Sequence, residues 1–321
     1  MKVLVTGGAG FIGSHFVKMA LEGNFEGITS IRVLDKFTYS GLRSNLEPVM
    51  QNHNFELMIG DITNPRDVVV ASSGVDAVIN FAAESHVDRS IADASAFVHT
   101  NIEGVRVLLD RCRESDIRFV QVSTDEVYGS IREGSWTEDF PLEPNSPYSA
   151  SKASGDLLVR SFYKTFGVDT VITRCSNNYG SNQFPEKVIP LFITNLLEDK
   201  QLPVYGTGGN IRDWLHVTDH CRGIALALLK GTSGHVYNIG GGEELSNIEL
   251  TNIILDIFGY GKDKIDFVDD RKGHDMRYSV DWKKAEVDLG YSPKIKFNEG
   301  LRNTIDWYKH NPSWWSALKT K

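Results

Sequence analysis

The chain has 321 residues, with 34 Lys and Arg against 42 Asp and Glu for a net charge of −8, and 41% hydrophobic residues. At about 150 residues per domain this length holds roughly two domains, with apolar content ample for a core. The acidic balance disfavours nucleic acid or an anionic membrane as a general partner, and no apolar run nears the roughly 18 residues of a membrane span.

In chain order, strand-like segments read at 2–5, 31–34, 55–59, 77–81, 119–123 and 170–173. The start, a short strand followed by glycines, does not read as a signal peptide. Helical patterns fall at 96–114 and 148–166 between the later strands. Strands apolar throughout, alternating with helices, predict an α/β fold with a doubly wound parallel sheet of Rossmann type. After Tyr179 the pattern changes to short helices, at 187–198, 219–229 and 247–258, among glycine-rich turns. This predicts a nucleotide-binding domain over 1–179, which also carries the catalytic residues. A smaller α/β substrate-binding region over 180–321 would lie at the strand ends, where open α/β sheets bind ligands. Residues 22–30 read as a long surface connection, and Trp314 and Trp315 as packing of the last helix onto the body. Cys112, Cys175 and Cys221 are far apart and lack C-x-x-C spacing, which excludes a disulfide scaffold or a thiolate zinc site and suits a reducing, cytoplasmic setting.

The first strand runs into Gly7-Gly8-Ala9-Gly10-Phe11-Ile12-Gly13, a G-x-G-x-x-G followed by a helical pattern, and Asp35 closes the next strand. Such glycines let backbone N–H groups approach a pyrophosphate at a helix N-terminus. Asp35 would accept from a ribose hydroxyl and repel a 2′-phosphate, favouring NAD over NADP; neighbouring Lys36 weakens that preference. Asp61 reads either as the cap of a helix starting near Thr63-Asn64-Pro65 or as a contact to adenine. Tyr148 and Lys152, four residues apart, share a helical face, where the ammonium would lower the phenol's pKa. Ser123 and Thr124 end a strand nearby, and Asp125 and Glu126 follow at once. Removing water from a sugar needs one group to take a proton from carbon and another to protonate the leaving hydroxyl, and two carboxyls in different environments can divide those roles.

The glycine segment, Ser123-Thr124 and Tyr148 with Lys152 resemble the extended short-chain dehydrogenase/reductase superfamily. Thr124-Asp125-Glu126 narrows the resemblance to nucleotide-sugar 4,6-dehydratases, on the branch acting on dTDP-glucose. Further matching stretches are 81–90, 177–180, 183–187, 212–217 and 273–278. The resemblance implies NAD as cofactor, a nucleotide-diphosphate sugar (dTDP-glucose) as substrate, and a homodimer through helices 96–114 and 148–166. Val105, Leu108, Leu109, Leu157 and Leu158 permit that pairing but could equally face the sheet.

Catalysis is thereby expected from Thr124, Asp125, Glu126, Tyr148 and Lys152. To the cofactor it assigns Gly7, Gly10, Phe11, Ile12, Gly13, Asp35, Lys36, Thr38, Ser40, Asp61, Ile62, Phe81, Ala82, Ala83, Ser85, Thr100, Tyr148 and Lys152. To the nucleotide sugar it assigns His86, Ser123, Thr124, Asn177, Glu186, Lys187, Val188, Pro203, Tyr205, Arg212, Asn247, Arg271, His274 and Tyr278. Lys272 departs from the family's proline at its position. His216 and His220 lie four apart, but with no H-E-x-x-H and no third ligand no metal is expected; His216 reads as loop and Asp219 as part of a helix start. The competing readings are a UDP-sugar 4,6-dehydratase, a nucleotide-sugar 4-epimerase or decarboxylase lacking the acid pair, and a non-catalytic NAD-binding protein.

Overall fold

The computed structural model describes residues 1–319. The main strands are β1 (Lys2–Thr6), β2 (Ser30–Asp35), β3 (Phe55–Ile59), β4 (Ala77–Asn80), β5 (Arg118–Thr124) and β6 (Thr170–Cys175). Three further strands follow, β7 (Asn177–Tyr179), β8 (Leu202–Tyr205) and β9 (Ile211–His216). The last three are β10 (Val236–Ile239), β11 (Glu244–Ser246) and β12 (Ile265–Val268). Seven of these form one sheet in the order β10-β6-β5-β4-β1-β2-β3, and every pair in it is parallel. The expected doubly wound parallel sheet is what the chain forms. Its order reverses between β1 and β4, and there the strand ends open a crevice. Thr6 donates to Asn80 at 2.6 Å and Asn80 to Gln121 at 2.9 Å, a buried polar chain that locks β1, β4 and β5 in register.

The seventh strand, β10, and the sheet-covering helix Val217–Lys230 come from the chain after residue 180. The small sheets β11-β9-β7 and β12-β8 form separately. Around them lies a core of their own, including Phe192, Trp214, Ile254, Leu301 and Tyr308. Trp315 is buried there and donates to the Tyr308 carbonyl, while Trp314 packs edge-on against Trp307, so the last helix closes onto the body as expected. The connection at 22–30 is more than surface: Phe25 and Ile28 are buried in the main core.

Helix Pro147–Phe166 starts at a capping box, in which Ser146 and Ser149 satisfy each other's backbone N–H, with Pro147 in the first turn. It ends at Gly167, whose φ of 70° is a left-handed cap. The helix expected over 96–114 is not uniform. Between Ser95–Val98 and Val105–Ser115 it widens into a π turn at His99–Gly104. That extra residue aims Asn101 inward, where it pairs with both backbone groups of Glu84 and donates to Ser151 Oγ at 2.9 Å. Val105, Leu108 and Leu109 face the sheet, whereas Leu157 is exposed.

Beneath the end of β5 lies a buried ionic network. Arg174 Nε pairs with Asp156 Oδ2 at 2.9 Å and Nη1 donates to Tyr128 Oη at 2.8 Å, and that hydroxyl donates to Asn238 Oδ1 at 2.9 Å. It joins β6, β10, helix Pro147–Phe166 and the turn Asp125–Tyr128. Removing one partner of a buried pair strands the other charge. Asp156→Ala is therefore expected to cost about 3 kcal/mol, read as a lowered midpoint of chemical denaturation.

Candidate active site

A cleft of about 260 Å³ opens at the carboxyl ends of β1, β4, β5 and β6, and a recess of about 110 Å³ continues from it beside β2. Gly7, Gly10, Ser40, Phe81 and Ala83 line both, so the two make one elongated channel. The recess adds Asp35, Lys36, Thr38, Asp61, Ile62, Ala82 and Thr100, while the cleft adds Phe11, Ile12, Gly13, Ser85, Tyr148 and Lys152. All residues assigned to the cofactor are thereby brought together.

The glycines act by what they lack. Gly7 sits at φ 68°, and a Cβ there would fall 2.6 Å from the Ala82 backbone nitrogen. A Cβ on Gly13 would collide with the Gly7 carbonyl oxygen. Gly10 caps the helix Phe11–Leu21 without any side-chain acceptor, leaving the first N–H groups free to face an anion. A helix start bare of side chains at the middle of an elongated channel fits a dinucleotide's pyrophosphate. Asp35 accepts from the backbone N–H of Ala9 and of Phe37, each at 2.8 Å, which holds its carboxyl at the recess wall. Lys36 is tied to Asp61 at 2.6 Å, so its charge is already partnered. Asp61 is not the helix cap: Asn64 caps Pro65–Ala71, and Asp61 instead accepts from Thr63 N in a local turn.

At the reacting end, Ser123 and Thr124 finish β5, and Asp125–Tyr128 turns away as a short 3₁₀ helix. The Tyr148 N–H donates to Ser90 Oγ at 3.1 Å, which fixes the helix start. The Thr124 hydroxyl donates to Asp125 Oδ1 at 3.2 Å. Lys152 Nζ donates to the Val122 carbonyl at 2.7 Å. The expected lowering of the phenol's pKa by Lys152 is not what the protein alone displays. Burial pushes the Tyr148 phenol well up, the Glu126 charge adds to this, and Thr124 opposes it.

The two carboxyls differ as a divided pair requires. Burial raises Asp125 strongly, reinforced by Glu126 and Asp213, and its Oδ2 has no partner. Burial also raises Glu126, but Arg212, Arg271 and Lys187 all oppose the rise. Both shifts favour the neutral form, but Asp125 has fewer opposing charges, while Glu126 faces three cations that favour its anion.

Of the residues assigned to the sugar nucleotide, Ser123, Thr124, Asn177, Glu186 and Lys187 line the cleft, and His86 lies 3.8 Å from Glu186. Buried Ser123 Oγ and Asn177 Oδ1 lack protein partners. Val188 begins the helix Val188–Leu197, Pro203 and Tyr205 lie on β8, and Asn247 begins the helix Asn247–Phe258. Tyr205 meets His274 edge-on at 6.1 Å, and His274 Nδ1 pairs with Asp270 at 2.6 Å. Arg212 lies over the Tyr278 ring at 4.1 Å and donates to the Ile211 and Asp275 carbonyls, whereas Arg271 Nε is buried without a hydrogen-bond partner. Arg271 Nε lies 4.0 Å from Asp88 Oδ1, a loose ion pair without a hydrogen bond, so its guanidinium can still pair with a phosphate.

Lys272 stands in the turn before His274. His216 ends β9 rather than lying in a loop; it caps helix Val217–Lys230, and Asp219 sits in that helix's first turn. His220 Nδ1 donates to Asn178 Oδ1 at 2.9 Å, while its Nε2 is buried without a hydrogen-bond partner. Tyr39, Cys175 and Ser176 also line the cleft and were not read from the sequence. The position of Cys175 and Ser176 at the carboxyl end of β6 was the available signal; Tyr39 had none.

A carboxyl whose folded pKa is raised stabilises the fold only while protonated. Its contribution is complete below the unfolded value of about 3.9 and is lost as pH rises through the folded value. Asp125→Asn removes that loss, so the variant is expected to melt at higher temperature than the parent at about pH 7. The difference should vanish as pH approaches about 4, as followed by circular dichroism.

A profile of the GDP-mannose 4,6 dehydratase family matches residues 4–304. The chain is 52% identical over 323 residues to a dTDP-glucose 4,6-dehydratase of Streptomyces niveus, spanning 100% of this chain and 96% of that protein. A dTDP-glucose 4,6-dehydratase of Streptomyces venezuelae, solved with NAD and dTDP, superposes with a TM-score of 0.98 at 54% identity, over 99% of this chain and 100% of that one. A UDP-glucuronic acid 4-epimerase of Bacillus cereus, solved with UDP-glucuronic acid and NAD, reaches 0.90 at 32% identity, over 97% and 99%. The architecture is therefore common to epimerases and dehydratases, and the higher identity goes with the dehydratases. With a divided carboxyl pair at its reacting end and near-complete overlap with these relatives, the chain belongs to the NAD-dependent nucleotide-sugar 4,6-dehydratases, in the dTDP-glucose 4,6-dehydratase family.

Proposed function

We propose that this chain converts dTDP-glucose to dTDP-4-keto-6-deoxy-glucose and water, with NAD held in the channel throughout. The observation that carries the reading is the unequal pair Asp125 and Glu126 beside Tyr148. NAD supplies, when bound, the capacity to accept a hydride from sugar carbon 4 and return it to carbon 6, so the cycle is redox-neutral. Gly7, Gly10 and Gly13 hold its pyrophosphate against the bare helix start, and Asp35 holds a ribose hydroxyl.

Tyr148, as the phenolate, takes the proton of the 4-hydroxyl, aided by the Thr124 hydroxyl. Burial opposes that ionisation in the protein alone, so the phenolate would have to be supported by Lys152 together with the positive nicotinamide ring of bound NAD. The ketone so formed acidifies the hydrogen on carbon 5, and Glu126, facing three cations, removes it. Asp125 protonates the 6-hydroxyl, which leaves as water. Glu126 returns its proton to carbon 5. Tyr148 has gained one proton and Asp125 has lost one, so exchange with solvent restores both. Lys187, Arg212 and Arg271 face the diphosphate. The epimerase reading is weaker because inverting a hydroxyl through a 4-ketone needs no acid for a leaving group.

The reading includes a homodimer in which exposed Val98 and Leu157, on the outer faces of their helices, meet a second copy. It also includes a cytoplasmic setting, in keeping with three free, buried cysteines. Among the described residues, no helix is long and apolar enough to cross a membrane.

Incubation with dTDP-glucose is expected to yield the keto product, seen by its alkali-induced absorbance, while UDP-glucose and GDP-mannose turn over at least about tenfold less efficiently. Absence of product from dTDP-glucose refutes the substrate assignment. Asp125→Asn and Glu126→Gln are each expected to lose about a hundredfold or more in dehydration while still forming NADH in a single turnover. Normal dehydration by both would refute their roles. Turnover needs Glu126 ionised and Asp125 protonated. It should therefore fall as pH drops through a Glu126 value above the ordinary one of about 4.3, and fall again as pH rises through that of Asp125; the kcat–pH profile reads both limbs.

A further inference from the structure

Residues 181–187 run from the end of β7 to the helix Val188–Leu197 along the mouth of the channel, where Asn182, Gln183, Phe184, Glu186 and Lys187 form part of its wall. They are pinned to the nucleotide-binding half at separate points. His15 Nε2 donates to the Ser181 carbonyl at 2.8 Å, Asn182 donates to Asn45 at 3.2 Å, and Lys187 Nζ donates to the Ser85 carbonyl at 2.9 Å. On the outer side the Arg89 guanidinium lies over the Tyr39 ring, 3.8 Å from its centroid, and donates to Glu186 Oε2 at 3.0 Å. Phe184 meets the Tyr39 ring edge-on at 5.5 Å. Tyr39 lines the cleft, and adjacent Ser40 lines both cleft and recess, so the stack stands near the junction of the channel's two halves.

We infer that Tyr39, Arg89 and Glu186 form a clasp that holds residues 181–187 against the nucleotide-binding half and keeps NAD bound from one turnover to the next. The inference rests on the NAD-dependent reading above. A redox-neutral cycle regenerates its cofactor in place, so a channel that stays shut costs no turnover; an enzyme exchanging NAD for NADH would have to open it every cycle. Tyr39 and Arg89 act as retaining residues, joining the loop after β2 to the helix Val87–Ala92 and to residues 181–187.

The test uses the purified holoenzyme. NAD retained during dilution and gel filtration is quantified after denaturation, and dTDP-glucose turnover is measured separately. Arg89→Leu and Tyr39→Leu are each expected to release NAD about tenfold faster than the parent and to make turnover depend on added NAD. The double variant should release it no faster than either single one, because one change already opens the clasp. Release at the parent rate by either single variant, or losses that multiply in the double, overturns the inference. Arg89→Gln, which keeps much of the side chain's length without its charge, gives the same reading if Arg89→Leu does not fold. A parent that retains NAD but leaves dTDP-glucose unchanged refutes the proposed function and leaves the clasp open to the same release measurement.

Discussion

Two carboxyl groups on consecutive residues, Asp125 buried and Glu126 half-buried at the cleft, cannot both be ionised near neutral pH without a cost. Asp125 and Glu126 are under that constraint, and much of the surrounding structure serves to break the tie between them. Asp213 adds a further negative field at Asp125, itself held by Ser176 and by the N–H groups of Gly241 and Glu243. Lys187, Arg212 and Arg271 bring positive charge to Glu126 from three separate segments after residue 180. The result is an acid and a base side by side, made from chemically similar groups by position alone.

That arrangement needs a rigid support. The turn bearing the pair is held from behind by the Arg174, Asp156, Tyr128 and Asn238 network, and the helix bearing Tyr148 is held by its capping box, by Ser90 and by Asn101 from the π turn. Buried acids and an ion pair with one unpartnered oxygen all cost stability, offset by the three large cores around the sheet and beneath the second half. Stability given up at the reacting end for chemistry is a common feature of enzymes.

Global charge and local charge point in opposite directions here. The chain carries −8, yet both ligands of the proposed reaction are anions. Their phosphates meet a helix start free of side chains and a few lysines and arginines, in a region where distant acids are screened over about 10 Å. Net charge bears on general binding to nucleic acid and says little about a phosphate subsite.

The parallel sheet and the dinucleotide cradle were legible in the sequence because both depend on short-range patterns. Apolar runs of strand length alternate with helical stretches, and Gly7, Gly10 and Gly13 are spaced by the geometry of a single turn. Tyr148 and Lys152 were legible as a helical pair, and Asp125 and Glu126 stood out as adjacent acids after a strand. What they do electrostatically was not legible, because a pKa is set by burial and by charges brought from far along the chain. Only the folded chain places Lys152 on the Val122 carbonyl, raises the Tyr148 phenol, and surrounds Glu126 with Lys187, Arg212 and Arg271. The cap at Asn64 in place of Asp61, the π turn at Asn101 and the Tyr39–Arg89 stack are likewise tertiary outcomes. Each is a choice among locally similar options, settled by which partner lies within hydrogen-bonding or stacking reach once the two halves of the chain close on each other.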